Sequence, residues 1–304
     1  MQPSLPPELQ LYILELAIPL LTRTHLAEFR KLMRTWPLVS RAWRTWAYEK
    51  VPVVPRLALP DDKPGSTTLV HFLNIVAFSG RTVKRFEIIL DSGKYSYSEL
   101  LDRLHDIHEP VEQLWLTSGG FHIEWLFSFS QLCRLSPAPA GSHPIPPPLT
   151  HLTVHHITFD LDVTLPHLDT LVLESSIMFN MPPRLLPRVP SLRILVLDRS
   201  YVNGTEAFLA QGNAYPPTLQ HIVLSDSFEQ NFDGLPLPPF SFPSSLKSIT
   251  CRYESNMDGA FRTSASLRTA CAGTETEYIE MVYDKDDPLE TAFDAEAWAL
   301  SVGA

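Results

Sequence analysis

The sequence predicts an α/β chain in which a three-helix N-terminal module precedes a short, irregular repeat solenoid with a parallel sheet. Three observations lead to this prediction. Apolar residues recur at spacings of three and four over residues 5–50, as in amphipathic helices. From about residue 81 a pattern of the form Leu-x-x-Leu-x-Leu recurs instead. Prolines crowd the segments between the later copies of that pattern, where they disfavour long helices.

The first predicted helix has both an entry signal and an apolar stripe. Ser4 can cap it, and Pro6 and Pro7 suit a first turn, whose amide hydrogens have no helical partner. A spacing of three and four defines its stripe. The stripe consists of Leu9, Tyr12, Ile13, Leu16, Ala17 and Leu20.

Two further helices complete the module. Thr24 is the predicted cap of the second helix, whose inward side holds Leu26, Phe29 and Met33. Pro37 is expected to open the third helix. The apolar face of the third helix consists of Leu38, Val39, Ala42, Trp43, Trp46 and Ala47.

The order of residues in this module resembles an F-box. The resemblance lies in Leu5-Pro6-x-Glu8-Leu9, Ile13-Leu14 and Leu38-Val39-Ser40-Arg41-x-Trp43-Arg44. It implies that residues 1–52 bind a Skp-type adaptor and, through it, a cullin ubiquitin ligase. The positions implied to form or support that surface are Leu5, Pro6, Leu9, Ile13, Leu14, Leu38, Val39 and Trp43. The segment from Ala17 to Pro37 is longer than the middle of the family's motif and contains Pro19.

Residues 53–80 are expected to form a proline-rich connector and the first solenoid helix, from Ser66 to Gly80. A buried strand over Val83 to Leu90, a helix over residues 98–108 and a strand over Val111 to Leu116 follow. Helices that alternate with strands are typical of a parallel sheet. The solenoid itself is assigned to residues 81–284.

The repeated pattern appears at least six times. Its clear copies are Val111/Leu114/Leu116, Leu149/Leu152/Val154, Leu168/Leu171/Leu173, Leu192/Leu195/Leu197, Leu219/Ile222/Leu224 and Leu246/Ile249/Cys251. Most of the steps between them match the period of leucine-rich repeats, so the region resembles a divergent member of that class. Where that family has an asparagine that joins neighbouring turns, this chain has Ser176, Ser200 and Ser227, which predicts a weaker ladder.

Two segments interrupt the repeats, and a third follows them. Residues 136–148 and 225–243 are rich in proline and are expected to be exposed loops. Because prolines are dense, the later connections are predicted to be loops and short turns. Residues 285–304 are acidic at first and then form a predicted helix with Leu289, Phe293, Ala297, Trp298 and Leu300, which is expected to close the open end of the solenoid.

Composition and charge limit the classes of function. The chain has 304 residues and a formal charge of -10, yet its first fifty residues hold seven Lys/Arg against four Asp/Glu. An acidic body argues against nucleic-acid binding, which depends on Lys and Arg. Cys133, Cys251 and Cys271 have neither the parity nor the spacing of disulfides or a metal site, which favours a reducing compartment. With no signal peptide and no membrane segment evident, the expected location is cytoplasmic or nuclear.

No motif for catalysis or for a cofactor is present. The phosphate-binding loop G-x-x-x-x-G-K-[ST], the dinucleotide motif G-x-G-x-x-G after a strand and the esterase motif G-x-S-x-G are all missing. His151, His155 and His156 lack a nearby Cys or carboxylate, so no metal site is predicted. The sequence therefore predicts a chain that is not an enzyme, with no catalytic residue, cofactor or metal.

The leading hypothesis is a substrate receptor of a Skp/cullin/F-box ubiquitin ligase whose repeats hold a target protein. The target is expected on the concave face, formed by residues that alternate with the inward leucines. The predicted contacts are Trp115, His155, Val172, Glu174, Val196, Asp198 and Val223. The alternative for this strip is that the loop at 136–148 or the tail covers it. If the strip binds the target, replacing Val196 and Val223 with Asp is expected to abolish target capture without changing the melting temperature. The alternative is a leucine-rich-repeat scaffold unconnected to ubiquitin, whose front helices only cap the first repeat and bury their stripe.

Overall fold

The computed structural model describes the chain in segments that fall into two compact units, Met1–Pro55 and Arg56–Ala304. The described residues are 5–51, 54, 56–59, 84–90, 111–118, 126–128, 148–160, 164–178, 188–202, 215–227, 240, 242–287 and 293–304. Several predicted features lie outside them: the cap Ser4, the helices at 66–80 and 98–108, Cys133, and the loops at 136–147 and 228–239.

The first unit consists of three helices and one 3-10 turn. Helix α1 spans Pro7–Leu16, α2 spans Leu26–Thr35, the 3-10 turn spans Trp36–Leu38, and α3 spans Arg41–Lys50. Two predicted entry points are wrong. His25 rather than Thr24 precedes α2, and α3 begins after the 3-10 turn rather than at Pro37. The Ser40 hydroxyl caps α3 by accepting a hydrogen bond from the Trp43 amide at 3.1 Å.

The core of this unit is built from all three helices. Its fully buried members are Leu14, Phe29, Trp46, Ala47 and Val51, packed against Leu11, Ile18, Leu21, Met33, Trp36 and Trp43. Helix α1 therefore buries the side that carries Leu11 and Leu14, and the stripe predicted from the sequence faces outward. Apolar residues cover most of the circumference of α1, so a spacing of three and four fits two stripes.

The second unit is a solenoid with a nine-stranded parallel sheet and a four-stranded parallel sheet. In chain order the strands are β1 (Arg56–Leu59), β2 (Arg85–Leu90), β3 (Gln113–Ser118), β4 (Leu126–Ser128), β5 (His151–His155), β6 (Thr158–Asp160), β7 (Thr170–Glu174), β8 (Ile177–Met178), β9 (Ile194–Asp198), β10 (Tyr201–Val202), β11 (His221–Ser225), β12 (Ser248–Glu254) and β13 (Glu277–Tyr283). The large sheet has the order β1-β2-β3-β5-β7-β9-β11-β12-β13, and the small one β10-β8-β6-β4. Strand β1, which pairs with β2, lies in the segment that the sequence assigned to a connector, so that part of the prediction is wrong.

The register of the large sheet aligns the repeated pattern from turn to turn. Leu114, Leu152, Leu171, Leu195 and Ile222 are successive partners across β3, β5, β7, β9 and β11. Every aliphatic position of the six predicted copies is buried, and so are Phe86 and Ile88 of β2. This register and burial confirm the predicted repeat solenoid with a parallel sheet. In such a solenoid each turn buries its apolar side against the neighbouring turns.

A ladder of serine hydroxyls joins the turns just after the strands of the large sheet. The Ser176 hydroxyl accepts from the Ile157 amide at 3.4 Å. The Ser200 hydroxyl accepts from the Ser176 amide at 3.2 Å, and Ser227 repeats the contact with the Ser200 amide at 3.1 Å. Each hydroxyl also donates to the carbonyl two residues before it, at 2.9–3.0 Å. Each serine hydroxyl at this position therefore both accepts and donates a hydrogen bond.

Removal of one hydroxyl from this ladder has a defined expected cost. Ser200→Ala leaves the buried Ser176 amide without its acceptor, so we expect the free energy of unfolding to fall by about 1–3 kcal/mol. Ser244→Ala, at an exposed serine, is the control and should change stability by less than about 0.5 kcal/mol. Urea unfolding of the full chain measures both. Equal stability of the two variants would show that the ladder contributes nothing.

Two helices belong to the C-terminal part of the second unit. Helix α4 (Asp258–Cys271) connects β12 to β13, and α5 (Ala295–Gly303) ends the chain. The prediction that later connections hold only loops and short turns is wrong for α4, because no proline occurs between Pro243 and Pro288. The predicted final helix is present, but it packs on the interior strands β9 and β11 rather than at the end of the sheet.

Candidate protein-interaction surfaces

The first unit exposes a set of large apolar side chains that its own core does not use. Leu16 is 69% exposed and Leu38 is 78% exposed, whereas Leu14 on the opposite side of α1 is only 4% exposed. We call the whole set the module face; it consists of Leu5, Leu9, Tyr12, Ile13, Leu16, Leu20, Leu38 and Val39. Contiguous apolar patches on a folded surface are typical of binding sites for other proteins.

Most residues of the predicted adaptor site belong to or adjoin this face. Leu5, Leu9, Ile13, Leu38 and Val39 are members of it, and Pro6 is exposed beside them. The two other predicted residues lie beneath it. Leu14 is in the core, and Trp43 is half-buried.

Contacts of α3 hold the two parts of the module face in place. The Trp43 indole N–H donates to the Gln10 amide oxygen at 3.3 Å, which brings the start of α3 beside α1. The ring of Trp43 meets that of Trp36 edge to face, with centroids 6.3 Å apart. The Arg44 guanidinium donates to the Pro37 carbonyl at 3.1 Å and so fixes the turn that presents Leu38.

The face of the large sheet that was predicted to bind a target is covered. Val172, Val196 and Val223 are partners in adjacent strands, but α5 lies over them and each is at most 1% exposed. The covering side of α5 contributes Ala295 and Ala299. We call the covered area the strand face; it consists of Trp115, His151, Thr153, Val172, Ile194, Val196, Val223 and Thr250. The sequence predicted an apolar contact strip here, with cover by the loop at 136–148 or by the tail as the alternative, and the C-terminal helix of the tail covers it.

The charged residues of the predicted target site lie at the carboxyl ends of β7 and β9. Glu174 and Asp198 are partners in register and both are buried. Arg199 donates to Glu174 at 3.3 Å and to Asp198 at 3.1 Å. Burial raises the pKa of Asp198, while the Arg199 guanidinium opposes this shift. His155, in the adjacent strand, is half-buried and its ring stacks on that of His156 with centroids 3.9 Å apart.

A carboxylate from α5 is held by three side chains of the strand face. His151 Nε2 lies 2.7 Å from Glu296 Oε1, the Thr153 hydroxyl donates to the same oxygen at 3.1 Å, and the Trp115 indole N–H donates at 3.3 Å. Glu296 is 5% exposed. Because a buried carboxylate is costly unless several donors satisfy it, this contact fixes the position of α5 across the sheet.

Sequence reasoning missed Glu296 as a contact of the strand face. It described the final helix mainly by its large residues, Trp298 and Leu300, whereas the fully buried contacts with the sheet come from small ones, Ala295 and Ala299. The signal that was available is Ala295, Ala299 and Gly303 at intervals of four. A Cβ added to Gly303 would lie 2.6 Å from Ile194 Cδ1, so the helix approaches the sheet closely at that point.

One buried histidine beneath α5 gives a pH prediction. Burial lowers the pKa of His221, and the nearby Lys247 and Arg193 lower it further. Protonation therefore favours the unfolded chain, so this residue's contribution to stability is complete above its ordinary pKa of about 6.5 and is lost as the pH falls below it. In His221→Gln that dependence is absent. Urea unfolding between pH 8 and pH 5 should show the stability difference between wild type and variant shrinking, and a constant difference would contradict this origin.

None of the helices in the described part of the chain is long and apolar enough to cross a membrane. Within the same ranges, no three His, Cys, Asp or Glu side chains are grouped as a metal ion would require. Comparisons with family models, curated proteins and solved structures find no match for this chain. The fold and the surfaces above define a parallel-strand repeat solenoid with an N-terminal helical module.

Proposed function

We propose that the chain is the substrate-receptor subunit of a Skp/cullin/F-box ubiquitin ligase. The N-terminal unit binds a Skp-type adaptor through the module face, and the solenoid binds the protein that is to be ubiquitinated. The chain supplies positioning, and the chemistry belongs to its partners. The observation that carries this proposal is the module face, because it combines large exposed apolar side chains with the residues of the F-box-like motif.

Helix α1 has apolar side chains that the core of the first unit does not use: Leu9 and Ile13 are 49% and 51% exposed. The unit also closes its own core around Phe29 and Trp46, so the exposed stripe is surplus to its folding. Surplus apolar surface on a helix suits a groove or helix of a partner.

We further infer that the solenoid belongs to the leucine-rich-repeat class. The repeated pattern, its most frequent steps and the buried aliphatic positions support this inference. So does the serine ladder, which performs at Ser176, Ser200 and Ser227 the cross-turn bonding that the resemblance assigns to asparagine. Serine is shorter than asparagine, and the short connection between strand and ladder accommodates it: Ser175, Arg199 and Asp226, just before the three serines, all adopt positive φ.

The distribution of charge fits two different partners. Residues 1–50 carry a net charge of +3, which leaves -13 on the remainder of the chain, given the total of -10. A small positive excess speeds association with an acidic adaptor and makes the rate depend on salt, although it adds little affinity. The apolar contacts of the module face are therefore expected to supply most of the binding energy.

Co-purification separates this proposal from the scaffold alternative. The full chain and a purified Skp-type adaptor, mixed at about 10 μM, should elute together in size-exclusion chromatography if the complex has the micromolar or tighter affinity of a stable interface. Circular dichroism of the same chain sample shows whether it is folded. If the chain is folded but elutes separately from the adaptor, the proposal fails and the alternative of a repeat scaffold unconnected to ubiquitin is favoured.

A further inference from the structure

The C-terminal helix α5 occupies the strand face in the manner of a bound peptide. Its side chains reach strands on both sides: Glu296 contacts β3 and β5, Ala295 and Ala299 pack with Val196 and Val223, and the Trp298 indole N–H donates to the Thr250 hydroxyl of β12 at 3.1 Å. This helix therefore lies on interior strands of the solenoid, where no edge or end needs a cap.

The strand face selects a specific helix chemistry. His151, Thr153 and Trp115 converge on one carboxylate oxygen, and two of the three are wholly buried while His151 is 6% exposed. Donors placed in this way favour an acidic side chain and reject a basic or apolar one.

Next to this carboxylate site, the apolar strands require small residues. Ala295 precedes Glu296, Ala299 follows it by three residues, and Gly303 follows it by seven. Ala299 is completely buried. Gly303 lies so close to Ile194 that any side chain at this position would clash with it. The residues of α5 that contact the strand face thus follow the pattern small-Glu-x-x-small-x-x-x-small.

The helix that covers the strand face is too short to be stable on its own. It has nine residues, and isolated helices shorter than about 12–15 residues are marginal in water. Its order thus depends on docking, so a competing helix that binds the same face can replace it.

We propose that the strand face is a receptor for an amphipathic target helix that carries an acidic residue flanked by small residues, and that α5 is the built-in competitor which such a helix displaces. This inference rests on the proposed function for its target. Only a partner that binds more tightly than the tethered α5 is captured, because a tethered segment acts at an effective concentration in the millimolar range.

The experiment uses the chain's own helix as the probe. A protease recognition sequence inserted between Asp287 and Phe293 allows the folded full chain to be cut, and a fluorescent peptide of residues 293–304 is then added. We expect the peptide to bind the cut chain, shown by anisotropy, and to bind the uncut chain at least about tenfold more weakly because the tethered helix competes. Equal binding to both, or binding to neither, would overturn the proposal.

Two peptide variants test the chemistry of the site. Glu296→Gln should weaken binding at least about tenfold, because a charge-assisted contact to three donors is lost. Ser301→Ala, at an exposed position, is the matched control and should bind as the parent does. Parent-like binding by the Glu296→Gln peptide would overturn the assignment of a carboxylate receptor.

Two further readouts on the cut chain separate this inference from its alternatives. Circular dichroism during peptide exchange should show that the sheet persists, whereas unfolding on loss of α5 would show that the helix is a permanent part of the core and would overturn the proposal. Adaptor binding by the same sample is measured in parallel. If the sample does not bind the adaptor, that result counts against the proposed function. The present inference is decided by peptide exchange alone.

Discussion

Replacing Leu9 and Ile13 with Asp is expected to lower the affinity for a Skp-type adaptor at least about 100-fold, which corresponds to about 2.7 kcal/mol. The two side chains are four residues apart on α1 and each is about half exposed, so they form one continuous patch of the module face. Central apolar contacts of this kind carry most of the energy of an interface, and a carboxylate placed there must be desolvated without a partner. Isothermal titration calorimetry of the purified variants measures the loss.

Two control variants show whether such a loss is specific. Tyr48→Asp removes a side chain that is 49% exposed on α3 but outside the module face, and it should change adaptor affinity less than about threefold. Leu14→Ala, in the core, should instead lower the free energy of unfolding by about 2–5 kcal/mol. If the Leu9 and Ile13 variant melts as early as Leu14→Ala does, the stripe is part of a core, and the cap alternative is favoured.

Replacing Val196 and Val223 with Asp is expected to lower the free energy of unfolding of the full chain by about 4 kcal/mol or more. Both valines are wholly buried between the sheet and α5, so the variant places two carboxylates in an apolar cluster that contains no partner for them among its described members. The sequence alone predicted a contact strip here, unless the loop at 136–148 or the tail covers it, and an unchanged melting temperature. The cover formed by α5 reverses that expectation, and urea unfolding of the variant measures the change.

A matched substitution on an exposed strand position gives the comparison. Val282 lies on β13 and is 52% exposed, so Val282→Asp should cost less than about 1 kcal/mol. If the Val196 and Val223 variant is as stable as Val282→Asp, then α5 does not cover the strand face in solution. The description of α5 as a competitor would fail with it.

The repeat architecture was predictable because its signal lies in a residue pattern that the sheet obeys. Leu152, Leu171 and Leu195 recur at one position, and parallel register requires them to lie side by side and buried. Strand β1 was missed because it lies between Pro55 and Pro60 inside a proline-rich segment, whose sequence does not reveal whether extended backbone pairs with a neighbouring strand.

The candidate surfaces were harder to predict because burial depends on packing rather than on spacing. In α1, Leu11 and Leu14 satisfy the same periodicity as Leu9 and Ile13, and only the position of Trp46 decides which side becomes core. The valines of the strand face were correctly aligned by the repeat, but their cover comes from residues more than seventy positions further along the chain. Small residues such as Ala299 give little hydrophobic signal, although close packing of a helix on a sheet depends on them.

The most direct test of the central claim is the heat of binding between the full chain and a purified Skp-type adaptor. Isothermal titration calorimetry at 10, 20 and 30 °C should give one site with micromolar or tighter affinity and a negative heat-capacity change, because the module face buries apolar area. Folded chain that releases or absorbs no heat at any of the three temperatures would contradict the account.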